Sequence, residues 1–130
     1  GMKGAPKFPI GYQINLLLRE AKFSSDSRAL FMVERTLDMM RRGGIYDHLG
    51  GGFSRYSIDE KWLIPHFEKM LYDNALLVHS YVEAWQATKN DSYRSIAEDV
   101  LNYIAREMTD PSGGFYSAED ADSEGKEGYY

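Results

Sequence analysis

The chain has no cysteine. That excludes disulfides, thiol catalysis and cysteine-bound zinc, and it accords with a cytoplasmic setting. Long apolar runs are missing too; the longest span only a few residues, far short of the ~20 that a membrane helix needs. The opening "GMKGAPKFP" lacks the apolar core of a secretory signal, and Gly1 ahead of Met2 reads as an addition to the natural start. Basic charge is in the minority, with 15 Lys and Arg against 20 Asp and Glu. Phosphate binding needs a concentrated basic face, so nucleic acid is not the expected partner. The histidines His48, His66 and His79 do not show zinc spacing, and neither a metal nor a cofactor is expected. A length of 130 residues suits one domain, or part of one, with room for a core.

What the chain does have is helical periodicity, in four segments. The first runs roughly from Ile10 to Lys22, with Ile14, Leu17, Leu18 and Ala21 on one face. Ser25 or Asp26 suits the cap of the second, which continues to about Arg42 through Leu30, Val33, Leu37 and Met40. Arg41 and Arg42 complement the dipole at its end, and Gly43-Gly44 stop it. A third helix is expected to open near Pro65, a residue tolerated in a first turn. Its stripe is Phe67, Met70, Leu71, Val78, Tyr81, Val82 and Trp85. Asn90 or Asp91 caps the fourth, with Tyr93, Ile96, Ala97, Val100, Leu101, Ile104 and Met108 inward. The run Asp110-Pro111-Ser112-Gly113-Gly114 then breaks it.

An internal echo accompanies these helices. "GGIYD" at 43–47 closes the first helix pair and "GGFYS" at 113–117 the second, about 70 residues later. A helical hairpin repeated in this way predicts an architecture in which each unit buries its apolar face on a neighbour. Two such units leave much of that face open, and the closing "EGYY" reads as though a further segment had been cut away.

The stretch "GGGFSRYSIDEKWLIPHFEKMLYDNA", Gly50 to Ala75, gathers glycines, aromatics and ionisable groups between two helices. Within it, "FSRYS" and "KWLI" joined by "IDEK" predict a short β-hairpin inside Phe53–Ile64. With "GGFYSAEDADSEG", this stretch resembles the thioredoxin-domain-containing proteins of the spermatogenesis-associated type. In that family a thioredoxin-like domain is joined to a six-hairpin (α/α) toroid similar to N-acylglucosamine 2-epimerases and cellobiose epimerases. The resemblance begins at "GAPKFP" and covers nearly the whole chain. It implies an all-α fold in which residues 1–130 form part of an (α/α)6 toroid of αα-hairpins, with a thioredoxin-like domain as a partner elsewhere in the longer protein. Redox chemistry does not carry over to these residues. By analogy of fold, carbohydrate chemistry does.

His66, Glu68 and Asp73 are the candidate catalytic residues. If helical, the segment puts His66 and Asp73 on one flank of the apolar stripe and Glu68 and Tyr72 on the other. An imidazole with a carboxylate to orient it can move a proton at a sugar carbon. The plainer alternative is that Glu68 favours a helix N-terminus and His66 bonds a neighbouring loop. Arg55, Tyr56, Trp62 and Tyr72 are candidates for binding substrate, since sugar sites pair aromatic faces with bidentate polar groups. Alternatively Tyr56 and Trp62 fill the gap beneath the hairpin while Arg55 pairs with Asp59. Asp47 and His48 suit a turn or the same pocket rim. Glu119 and Asp120, with Ser117 and Asp122, occupy the second unit's counterpart of the site loop. Together with Glu124 they also suit a plain solvated acidic loop, and their spacing does not fit an EF-hand.

Three readings follow: a carbohydrate-active toroid using epimerase-like or glycosidase-like proton transfer, a non-catalytic binding or scaffold module, and loops that merely fill between hairpins. On the first, a saccharide is the ligand and this part of the ring is inactive alone. Open helix faces at Trp85, Leu101 and Ile104 predict self-association. No membrane partner is expected.

Overall fold

A computed structural model of the protein describes residues 4–24, 27–123 and 125–127. Four helices carry it: α1 (Gly11–Phe23), α2 (Arg28–Arg42), α3 (Leu71–Thr88) and α4 (Asp91–Glu107). They form two antiparallel hairpins, α1 with α2 and α3 with α4, joined where α1 packs on α3. Short links close each hairpin at one end. At the other, residues 43–70 and the segment after α4 form long glycine-containing loops.

Local chemistry explains most of the helix ends. Asn90 caps α4, its side chain accepting from the Ser92 amide at 3.1 Å. Lys89 closes α3 in the left-handed region, φ 60°. Arg41 and Arg42 fill the last turn of α2, and the Gly43 amide donates back to Met39 and Met40. At the start of α2, Ser27 stands at the cap position without a side-chain bond; the expected caps Ser25 and Asp26 lie outside the described residues, as do Glu124 and the final "GYY".

The core lies between the helix pairs, around Leu37, Met40, Phe53, Leu77, Tyr81 and Tyr93, all fully buried. Ile104 is buried and Trp85 half-buried within it, whereas Leu101, expected inward, is 52% exposed. The buried face of the fourth helix therefore takes in Tyr103 and leaves Leu101 outside.

The third helix begins at Leu71, not near Pro65. Residues 65–70 are extended, as β2 (Pro65–His66) and β3 (Lys69–Met70). Long-range backbone partners hold them so. β2 pairs antiparallel with β1 (Tyr56–Ser57), and β3 with β4 (Ala118–Glu119). The Arg55 amide donates to the Glu68 carbonyl at 2.7 Å. Buried Asn74 completes the arrangement, accepting from the Phe53 amide at 2.7 Å and donating to the carbonyls of Phe53 and Met70.

The β-hairpin of the site loop is present, with its return strand at Pro65–His66 rather than at Trp62–Ile64. The Asp59 carboxylate is the reason. It accepts from the amides of Lys61, Leu63 and Ile64 and from Ser57 Oγ, rolling residues 58–64 into a wide turn. Gly43 and Gly44 lie beneath that turn, so close to the Trp62 and Leu63 carbonyls that no side chain fits.

The echo is real, but its register differs from the one the glycine pairs suggested. Bridges Tyr46↔Phe53 and Thr109↔Phe115 equate Gly51-Gly52-Phe53 with Gly113-Gly114-Phe115. A shift of 62 residues likewise carries Lys7 onto Lys69 and Ser57 onto Glu119, and both pairs are antiparallel partners. In each unit, then, the strand that enters the first helix is stitched to the loop that leaves the second. A further hairpin, β5 (Asp122–Ser123) with β6 (Lys126–Glu127), follows.

Candidate functional site

Extended backbone sends successive side chains to opposite faces. Residues 65–69 therefore divide the candidate chemistry in two. His66 and Glu68 face one way; Pro65, Phe67 and Lys69 line a cleft on the other.

On the first face, Arg55 Nη1 meets Glu68 Oε2 at 3.0 Å, and His66 Nε2 stands 3.6 Å from the same oxygen. The His66 ring stacks on Tyr56, centroids 4.7 Å apart and planes 14° apart, and Phe8 packs behind Tyr56. The hydrogen bond to Glu68 raises the Arg55 pKa further, with help from Tyr72. Asp73 sits in the first turn of α3. Burial pushes its carboxyl up to about 6; Arg55 opposes the shift and Glu68 adds to it. Five of the expected site residues, Arg55, Tyr56, His66, Glu68 and Asp73, thus gather at the N-terminal end of α3, and Tyr72 borders them at 52% exposure.

Trp62 is not brought to this group. It is 3% exposed beneath the wide turn, with Lys7 Nζ 4.9 Å above its ring. Asp59 serves its own loop and makes no pair with Arg55.

On the second face, a cleft of about 700 Å³ lies between the two glycine loops. Glu119 and Asp120 line it, away from His66 and Glu68. At its base Lys69 Nζ donates to Asp47 Oδ2 at 2.7 Å and to the Gly51 carbonyl at 3.0 Å, and lies 4.5 Å over the Tyr103 ring. Tyr103 donates to Glu119 at 2.6 Å; burial and that bond raise its pKa. Asp47 takes the turn role as well, accepting from the amides of Leu49 and Gly50. A His48 ring nitrogen meets the Gly43 carbonyl at 3.1 Å. Among the described residues, no three His, Asp or Glu side chains converge to hold a metal ion.

Sequence reasoning missed Lys69, Tyr103 and Asn74. Lys69 had a signal: alternation with its neighbours in a segment where Pro65 already suits an extended start. Tyr103 and Asn74 sit on helix faces, and nothing local marks their long-range partners.

No protein-family model matches the chain. Spermatogenesis-associated protein 20 from Homo sapiens is 47% identical over 127 residues, which is 95% of this chain and 16% of that protein. The Mus musculus protein of the same name is 49% identical over the same span, and an uncharacterised Caenorhabditis elegans protein is 40% identical over 129 residues, 18% of its length. The chain thus spans under a fifth of the curated relatives it matches. Among solved structures, D-mannose isomerase superposes with a TM-score of 0.76 at 20% identity, covering 87% of this chain and 29% of that one. Cellobiose 2-epimerase from Spirochaeta thermophila gives 0.77 at 19%, covering 88% and 29%. A GH76 α-mannanase from Bacteroides thetaiotaomicron gives 0.70 at 17%, covering 85% and 31%. At such identities the likeness shows the fold alone. No helix among the described residues is long and apolar enough to cross a membrane. The chain is homologous to one segment of spermatogenesis-associated protein 20, and its fold resembles a part of the epimerase (α/α)6 toroid.

Proposed function

We propose that this chain forms part of the wall of a carbohydrate-active ring and supplies its acid/base groups. One observation carries the reading: an imidazole, an Arg-clamped carboxylate and a carboxyl with its pKa near 6 converge at the open N-terminal end of a helix. In an epimerase-like reaction His66 takes the proton from the carbon beside the sugar carbonyl. Glu68 orients the ring and stabilises the imidazolium, and Asp73, partly protonated near neutrality, donates to the developing oxyanion. Tyr56 and Tyr72 offer aromatic surface to the sugar face, and Arg55 offers its remaining donors to hydroxyls. A glycosidase-like reaction would draw on Asp73 as the acid in the same way.

The chain aligns with 29% of the D-mannose isomerase chain, so the rest of such a ring comes from elsewhere in the longer relatives. We expect turnover only from full-length protein, with the 130-residue chain nearly inactive. The test is solvent deuterium incorporation next to the carbonyl of aldoses, which reveals proton abstraction even without net product. His66→Ala and Glu68→Gln should each slow exchange by ~10²–10⁴-fold without unfolding the protein. Wild-type exchange in the double variant would remove these residues from the chemistry. A non-catalytic module, binding a glycan or docking a thioredoxin-like domain, is favoured by one feature: Glu68 is already satisfied by Arg55 and His66. On that reading saccharides bind and no deuterium enters.

A further inference from the structure

The run "GAPKFP" at 4–9 leads toward α1 and passes beside the loop site. Lys7 is stitched antiparallel to Ser57, its amide donating to the Ser57 carbonyl at 2.7 Å and the Ser57 amide donating back at 2.8 Å. β1 pairs in turn with β2, Tyr56 opposite His66 and Ser57 opposite Pro65. Antiparallel register therefore sets Phe8, Tyr56 and His66 in one cross-strand row, and Lys7, Ser57 and Pro65 in the next. Adjacent rows point to opposite faces. Lys7 accordingly reaches the far side, over the Trp62 ring and onto the Glu60 carbonyl at 3.2 Å. Phe8 turns to the near side, its ring 4.9 Å from Tyr56, which stacks on His66 at 4.7 Å.

The row bears on the imidazole. Glu68 Oε2, 3.6 Å from His66 Nε2, lies beyond hydrogen-bond reach. It draws that nitrogen toward itself and leaves the plane of the ring to the stack, where Tyr56 lies within 14° of the imidazole. Nor does the stitch itself need aromatic rings. In the second unit, the shift of 62 residues carries Phe8 onto Met70 and Tyr56 onto Ala118, and these two pair in the same way. Phe8 is also 46% exposed, so it contributes little to the core.

We infer that Phe8 is a positioning residue for His66. Acting through Tyr56, it fixes the plane in which the imidazole meets the carbon-bound proton. The inference rests on the reading of His66 as the base and adds the entry strand to what orients it.

The test is the rate of solvent deuterium exchange into aldoses by the full-length protein, with ring spectra of His66 from the 130-residue chain. Phe8→Ala should lower kcat about tenfold and leave KM unchanged, because the ring acts on the base and not on the sugar. Phe8→Tyr keeps a flat ring and should hold the parent rate. Lys7→Ala alters the same strand on its other face and should hold it too. The Tyr56 ring current should move the carbon-bound His66 protons upfield; Phe8→Ala should relax that shift, and the other two variants should keep it. Where Phe8→Ala does not fold, Phe8→Leu, which keeps apolar bulk without a flat ring, takes its place with the same expectation. Parent-level exchange in the Phe8 variant with the His66 shift unmoved overturns the positioning role and leaves the base assigned. An equal loss in Lys7→Ala also overturns it, since the stitched strand and not the ring then matters. Absence of exchange in the parent fails the reading of the base, and the positioning role falls with it.

Discussion

Lys69→Met is the sharpest probe of how the two glycine loops are held. The ammonium is 7% exposed and Asp47 6%, so both charges are out of water, 2.7 Å apart. Removing the lysine charge takes away the ammonium that faces this buried carboxylate at 2.7 Å, a change that costs about 3–5 kcal/mol in comparable sites. Asp47 keeps two amide donors, from Leu49 and Gly50, which favours the lower end, about 3 kcal/mol. The orphaned Gly51 carbonyl and the lost contact over Tyr103 prevent a smaller figure. For a chain of this size about 4 °C accompanies each kcal/mol, so the melting temperature should fall by about 12 °C. Thermal and urea unfolding followed by circular dichroism measure both quantities. The double variant Asp47→Asn with Lys69→Met removes both charges and should recover to within about 1 kcal/mol of the parent. If Lys69→Met costs under about 1 kcal/mol, the pair is solvated and the argument fails. If the double variant is as unstable as the single, packing of the lysine stem rather than charge holds the loops together.

Three further outcomes are expected. Asn74→Ala strips Phe53 of partners for both its amide and its carbonyl and should cost about 3 kcal/mol in urea unfolding, with the greatest loss of amide protection in residues 51–54. Gly44→Ala forces a methyl into the Leu63 carbonyl and should cost about 2 kcal/mol, whereas Gly114→Ala, which meets open space, should cost little. Asp73 holds its proton to about pH 6 when folded and loses it near pH 4 when unfolded, so the folded state binds more protons between those values and stability falls as pH rises through them. Asp73→Asn should therefore match the parent near pH 4 and exceed it by roughly 1 kcal/mol at pH 7 after solvent screening; equal differences at both pH values would show an unperturbed carboxyl.

The helices were legible because their apolar spacing is long and regular: Ile14 and Leu18, Val33 and Leu37, Val100 and Ile104 all fall inward as the period requires. The start of α3 was not, because Phe67, Met70 and Leu71 fit a helical stripe as well as a strand. What decides it is a supply of backbone partners from residues 55–57 and 118–119, which local periodicity does not encode. The same limit hid the return strand of the hairpin, where one side chain, Asp59, absorbs the amides that would have continued the ladder. Of the candidate site residues, Arg55, His66, Glu68 and Asp73 stand together, yet Trp62 and Glu119 lie apart from them because the chain path, not composition, decides which face a side chain joins.

That late helix start also bears on chemistry. In a helix His66 and Glu68 would diverge by roughly 200° around the axis and could not share a ligand. In the extended segment they fall on one face, and the imidazole comes within 3.6 Å of a carboxylate that Arg55 already clamps. Lys69, between Glu68 and the helix, turns to the opposite face and is locked there by Asp47, which holds the strand from rotating. Pairing of Lys69 and Met70 with Glu119 and Ala118 keeps the residues before the helix extended, and Asn74 ties the first turn to the loop by donating to the Met70 carbonyl while binding the Phe53 backbone. The pairing on one face and the ion pair on the other are thus two consequences of a single choice of backbone. A variant that let α3 extend toward Pro65 would part His66 from Glu68 and expose Lys69 together.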